Sequence, residues 1–150
     1  MNGNLQGALE CLDKAVLLSP LNSDHWFIYA EALEKAGQTE KARTAYEKVI
    51  QLDIDNIEAW LDYSTFVFEN DNSIKAHELI IEALSHHPEN VDLLYRKVVY
   101  LLASSQMKEA LVTLEQALQM NYEAHDKMLD YYPEAKEIPE VLQLIELYKN

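Results

Sequence analysis

Five histidines, one cysteine and 26 aspartates and glutamates are the side chains in this 150-residue chain that could bind a metal, move a proton or attack a substrate. Any of those tasks needs two or three such groups aimed at one point. His86 and His87 are adjacent at the end of a helical stretch, so their side chains diverge. They suit the last carbonyls and the negative end of the helix dipole better than a shared ligand. His25, His77 and His125 are dispersed, with no pair at a four-residue spacing. Cys11 lies beside an apolar stripe with no histidine nearby in sequence, which predicts a partly buried, inert thiol. Three glycines, none in a phosphate-loop arrangement, offer a nucleotide no cradle. The expectation is a chain with no catalytic site, no cofactor and no metal, and not an enzyme.

What the polar residues can do then depends on the elements that carry them, and those elements repeat. The stretch "SDHWFIYAEAL" from Ser23 returns as "IEAWLDYSTFV" from Ile57, thirty-four positions on. At the same interval stand four alanines, Ala8, Ala42, Ala76 and Ala110. Four residues after each come Leu12, Tyr46, Ile80 and Leu114, and seven after each come Ala15, Val49, Ala83 and Ala117. Another series runs Trp26, Trp60, Leu94, Met128. Within one unit, Leu5, Ala8, Leu9, Leu12, Ala15 and Val16 fall at three- and four-residue intervals, the spacing of one helix face. Gly3, Gly37, Asp71 and Ser105 share the repeat position where a turn is needed. The pattern predicts helices over 4–18, 23–36, 39–53, 57–70, 73–86, 91–104, 107–120, 122–132 and 138–149. A small side chain recurring where two helices cross lets their backbones approach, with Trp or Leu and Tyr filling the flanks.

Trp26, Tyr29-Ala30, Leu33, Ala42, Tyr46 and Val49, in that phase, give the chain a specific resemblance to the tetratricopeptide repeat (TPR) family. The pattern departs at Val98, where the family has a small residue, and at Ile54 and Tyr122, which stand where Pro20 and Pro88 stand in other copies. The resemblance implies an all-α, TPR-type superhelix, a right-handed solenoid of antiparallel helix pairs. It organises residues 1–150 as one domain: a half repeat at 1–22, repeats at 23–56, 57–90 and 91–124, and a degenerate capping repeat at 125–150. The half repeat lacks its first helix, so an apolar face at Leu5, Leu9 and Leu12 is expected to be uncovered. That predicts either a piece of a longer array or a homodimer formed through this half repeat. At the other end Leu144 replaces the crossing alanine. Pro133 stops one helix and Pro139 opens the next. Val141, Leu144, Ile145 and Tyr148 are expected to pack inward, with Glu140, Gln143 and Lys149 in solvent, as a cap at a natural C-terminus.

In the family, the first helix of each pair lines a concave face. Carried over, those positions are Asp24, Phe27, Ile28, Glu31, Glu34 and Lys35; then Glu58, Leu61, Asp62, Thr65, Phe68 and Glu69; then Asp92, Tyr95, Arg96, Val99, Leu102 and Ala103. One TPR subclass grips chaperone C-terminal carboxylates with Lys, Asn and Arg. Here Phe27, Glu31, Asp62 and Asp92 hold those places and only Arg96 fits, so a carboxylate would be repelled. The implied function is a protein–protein interaction module, a scaffold or adaptor. Its groove combines Phe27, Leu61, Phe68 and Tyr95 with Asp24, Glu31, Asp62 and Asp92, beside Arg96, and suits a protein or peptide with basic and apolar side chains. A structural spacer is the alternative. A formal charge of −14 repels phosphate backbones, which argues against nucleic acid. No apolar run reaches the ~18 residues of a membrane span. "MNGNLQGALE" lacks the pattern of a signal peptide, and a single cysteine suits a reducing compartment, so the cytoplasm is the default location.

Overall fold

A computed structural model describes residues 2–149, and the described residues form helices joined by short turns, without strands. In chain order they form α1 (Asn2–Leu18), α2 (Ser23–Lys35), α3 (Thr39–Leu52), α4 (Ile57–Asn70), α5 (Ser73–His86), α6 (Val91–Ala103), α7 (Met107–Met120), α8 (His125–Tyr131) and α9 (Pro139–Leu147). Two compact units result, one ending at Phe66 and one beginning at Val67, with the boundary inside α4. In the first unit α2 packs on both α1 and α3; in the second, α6 packs on α5 and α7, and α9 packs on α7.

The crossing alanines do what their size predicts. Ala42, Ala76 and Ala110 are fully buried, as are Val49, Ala83 and Ala117 seven residues on. Their counterparts in α1 differ: Ala8 is exposed, and Leu12 and Ala15 are half-buried. The face expected to be uncovered at Leu5, Leu9 and Leu12 is only partly so, since Leu5 and Leu12 are half-buried. Leu9 is 6% exposed, because α2 packs on α1 and covers that side. Cys11 is also corrected, being exposed rather than partly buried. Gly3, expected in a turn, lies instead in the first turn of α1.

Two of the expected turn residues show why they are there. Gly37 and Ser105, two repeats apart, both take left-handed backbone conformations, at φ +73° and +60°.

Three features recur with the period, the first in both units and the other two within the first unit. Asn22, Asn56 and Asn90 precede α2, α4 and α6, and each side-chain oxygen accepts the N–H three residues on, at 3.1, 3.0 and 3.0 Å. These are N-caps, satisfying donors that the first helical turn leaves unpaired. The indole N–H of Trp26 donates to the carbonyl of Pro20, and that of Trp60 to the carbonyl of Ile54, both at 2.8 Å. The bond survives the missing proline at Ile54 because it uses backbone oxygen. Lastly, the Tyr29 hydroxyl donates to Asp13 at 3.0 Å and that of Tyr63 to Glu47 at 3.2 Å, the same pair one repeat apart.

The asparagine series ends at Ala124, and the helix expected over 122–132 is interrupted there. Tyr122–Ala124 forms a 3-10 turn, followed by a seven-residue α8. Without a side-chain cap, the tighter turn supplies the partners. Replacing Asn90 with alanine is expected to cost about 1 kcal/mol, the usual worth of a cap. In a thermal melt followed by circular dichroism that is a fall of about 2–4 °C. An unchanged melt would show that solvent serves those N–H groups equally well.

Pro139 opens α9 as expected, and Val141 and Ile145 are buried while Glu140, Gln143 and Lys149 face solvent. The Tyr148 hydroxyl donates to Glu115 and accepts from Gln119, tying α9 to α7.

Candidate partner-binding site

In the first unit a depression of about 530 Å³ is lined by Glu31, Glu34 and Lys35 of α2, Tyr46 of α3, and Asp62 and Thr65 of α4. All but Tyr46 belong to the positions read as concave from the sequence. Helical spacing explains the grouping: Glu31, Glu34 and Lys35 lie three and four residues apart, as do Asp62 and Thr65, so each helix offers one stripe.

An aromatic base supports these charges. Tyr46 stacks parallel to Tyr63 at 5.4 Å and leans on Phe66 at 5.4 Å, while Phe27 meets it edge-on at 6.5 Å. The guanidinium of Arg43 sits 5.4 Å from the centre of the Phe66 ring. The Tyr46 hydroxyl donates to Glu34 at 2.7 Å. Burial is the main cause that raises its pKa well above the ordinary tyrosine value; the hydrogen bond to Glu34 and the charges of Glu34, Asp62 and Glu31 add to it. Three carboxylates, Glu31, Glu34 and Asp62, thus line the depression against one ammonium, that of Lys35.

Of the other expected residues in this unit, Phe27 and Leu61 are half-buried and Asp24 is exposed. Asp24 sits in the first turn of α2, where a negative charge also favours the helix.

The second unit uses its expected residues differently. Tyr95 is 4% exposed, and its hydroxyl donates to the carbonyl of Asn121 at 2.8 Å. That is a packing role, because a rigid ring with one polar tip fits a buried site offering one acceptor. Phe68 is half-buried, with Tyr100 at 5.1 Å and Tyr132 at 6.3 Å. The Arg96 guanidinium lies 3.7 Å over the Tyr131 ring and donates to the Tyr100 hydroxyl at 3.4 Å, and the two tyrosine hydroxyls are 3.0 Å apart. Asp92 occupies the first turn of α6, as Asp24 does in α2. Leu102, also read as concave, is 8% exposed.

Tyr46 is the contributor missed from sequence, because it comes from the second helix of its pair. A signal existed: its series runs Leu12, Tyr46, Ile80, Leu114, and a tyrosine among aliphatics brings a hydroxyl that needs a partner.

Residues 26–128 match the model of the cilia and flagella-associated protein 70 middle TPR-like domain family, more than half of the chain. The chain belongs to this TPR family. Among curated relatives, the TPR chain is 25% identical over 103 residues to the peroxisomal targeting signal receptor of Candida albicans, 69% of its own length and 17% of the receptor's. It is 31% identical over 74 residues to a TPR repeat-containing protein of Dictyostelium discoideum, 49% of its length and 28% of that protein's. It therefore spans less than a third of these relatives. Among solved structures, MamA matches with a TM-score of 0.69 at 16% identity, over 98% of the TPR chain and 88% of MamA. YrrB, described as a TPR protein with an unusual peptide-binding site, matches with a TM-score of 0.65 at 14% identity, over 97% and 77%. At those identities the likeness is one of fold: the TPR chain has the all-α fold of TPR solenoids. Among the described residues no helix is long and apolar enough to cross a membrane.

Proposed function

We propose that this TPR chain is a scaffold or adaptor that holds a segment of a partner protein carrying basic and apolar side chains. The observation behind this reading is the depression of the first unit, where Glu31, Glu34 and Asp62 surround an aromatic base. A lysine or arginine placed there meets carboxylates half-screened from water, while adjoining apolar side chains rest on Phe27 and Leu61. The peroxisomal targeting signal receptor, related by sequence, and YrrB with its peptide-binding site, related by fold, support a protein or peptide as the ligand.

The test is capture of partners by the intact gene product, followed by binding isotherms for the captured polypeptide at low and high salt. Glu31→Lys with Asp62→Lys is expected to weaken binding by at least ~100-fold, about 2.7 kcal/mol. The wild-type affinity should fall as salt rises. Binding indifferent to both the reversal and the salt would leave the spacer reading standing.

A second reading concerns α1. Its exposed Ala8 and half-buried Leu12 and Ala15 correspond to positions that are buried at Ala42, Ala76 and Ala110 and their followers in α3, α5 and α7, and Leu17 and Leu18 are 73% and 84% exposed. A second copy covering this face would make a homodimer. Light scattering should then give twice the chain mass, reduced to the single mass by Leu5→Glu with Leu12→Glu. A monomer at high concentration would end that reading.

A further inference from the structure

A second concavity lies in the second unit, between α7 and α9. Leu111, Val112, Leu144 and Leu147 line it, with Glu115, Glu140 and Gln143, and it is an open groove of about 410 Å³. Helix length explains it. The helix α9 has nine residues against fourteen in α7, so it covers only part of its neighbour. Leucine at position 144 also replaces the alanine that lets other pairs close up. Val112 and Leu147 are left 62% and 75% exposed. Single exposed leucines are ordinary on a soluble protein; several gathered along one groove mark an interaction surface.

We propose that the α7–α9 groove docks an amphipathic helix of a partner protein, with its apolar side chains between Val112, Leu144 and Leu147 and lysine or arginine on its flanks. Charge complementarity selects this occupant: the ionisable residues lining the groove are both carboxylates, Glu115 and Glu140. A helix flanked by cations gains from both, and one flanked by acids is repelled by both. A second copy fits less well. The exposed leucines of α1 are accompanied by Glu10 and Asp13 as well as Lys14. The site shares no residue with the depression of the first unit, so the two proposals stand or fall separately.

The experiment titrates the full chain, with labelled backbone amides, against two synthetic amphipathic helices, one of leucine and lysine and one of leucine and glutamate. The leucine–lysine peptide is expected to shift amide signals of α7 and α9, and the leucine–glutamate peptide to shift none. Val112→Glu with Leu147→Glu, both at exposed positions, should weaken binding at least ~10-fold. Glu140→Lys should weaken it several-fold, and Asp62→Lys should leave it unchanged. Shifts confined to α2 and α4, equal binding of the two peptides, or no binding would overturn the proposal. So would a dimer that Val112→Glu with Leu147→Glu dissociates.

Discussion

Trp60→Ala is expected to cost about 4 kcal/mol, the largest effect of any single truncation considered for this chain. Trp60 is 1% exposed and heads the largest fully buried side chains. Removing it leaves a void where an indole stood and breaks the bond to the carbonyl of Ile54. In urea the transition midpoint should fall in proportion, and in a thermal melt by roughly 10 °C or more. Trp60→Phe keeps most of the apolar volume and should lose far less, about 1–2 kcal/mol. A Trp60→Ala protein within 1 kcal/mol of the wild type would show that the surrounding helices close over the gap, which close packing at native density opposes.

The next largest effect separates two alanines that the sequence treats as equivalent. Ala42→Leu should destabilise by about 2–3 kcal/mol, because three carbons must enter a crossing with no free space. Ala8→Leu, at the same repeat position but exposed, should stay within ~0.5 kcal/mol of the wild type. Paired denaturation curves read the contrast directly. Equal losses at both positions would mean that something covers α1 in solution, and equal indifference would mean that helix crossings do not require a small side chain.

That contrast marks how far the sequence could be read. The period and the crossing alanines located α2 to α7 to within a residue, because burial at Ala42, Ala76 and Ala110 is set by contacts inside the repeat. Departures come where a repeat lacks a partner or a cap. Leu9 and Cys11 exchanged their expected environments because only one side of α1 has a neighbour. The helix at 122–132 broke because the asparagine series stopped, a signal visible at Asn22, Asn56 and Asn90 but overshadowed by the apolar pattern. In the candidate site, Glu31 and Asp62 were legible from the concave positions that the TPR resemblance implies. Tyr46 was not, since it reaches the depression from a different helix. Nor was the engagement of Tyr95 and Arg96, whose partners Asn121 and Tyr131 lie well beyond their own helix. Offsets within one helix say nothing of what the next repeat brings against it.

The recurring asparagine caps, indole bonds and tyrosine–carboxylate bonds each span at most sixteen residues and return at the same phase. A segment one period long could therefore be excised or duplicated with both cut ends still matching their new neighbours. Growth or shrinkage of such a gene by unequal exchange would be tolerated in steps of thirty-four codons, whereas a shorter slip would strand a donor and misplace an alanine.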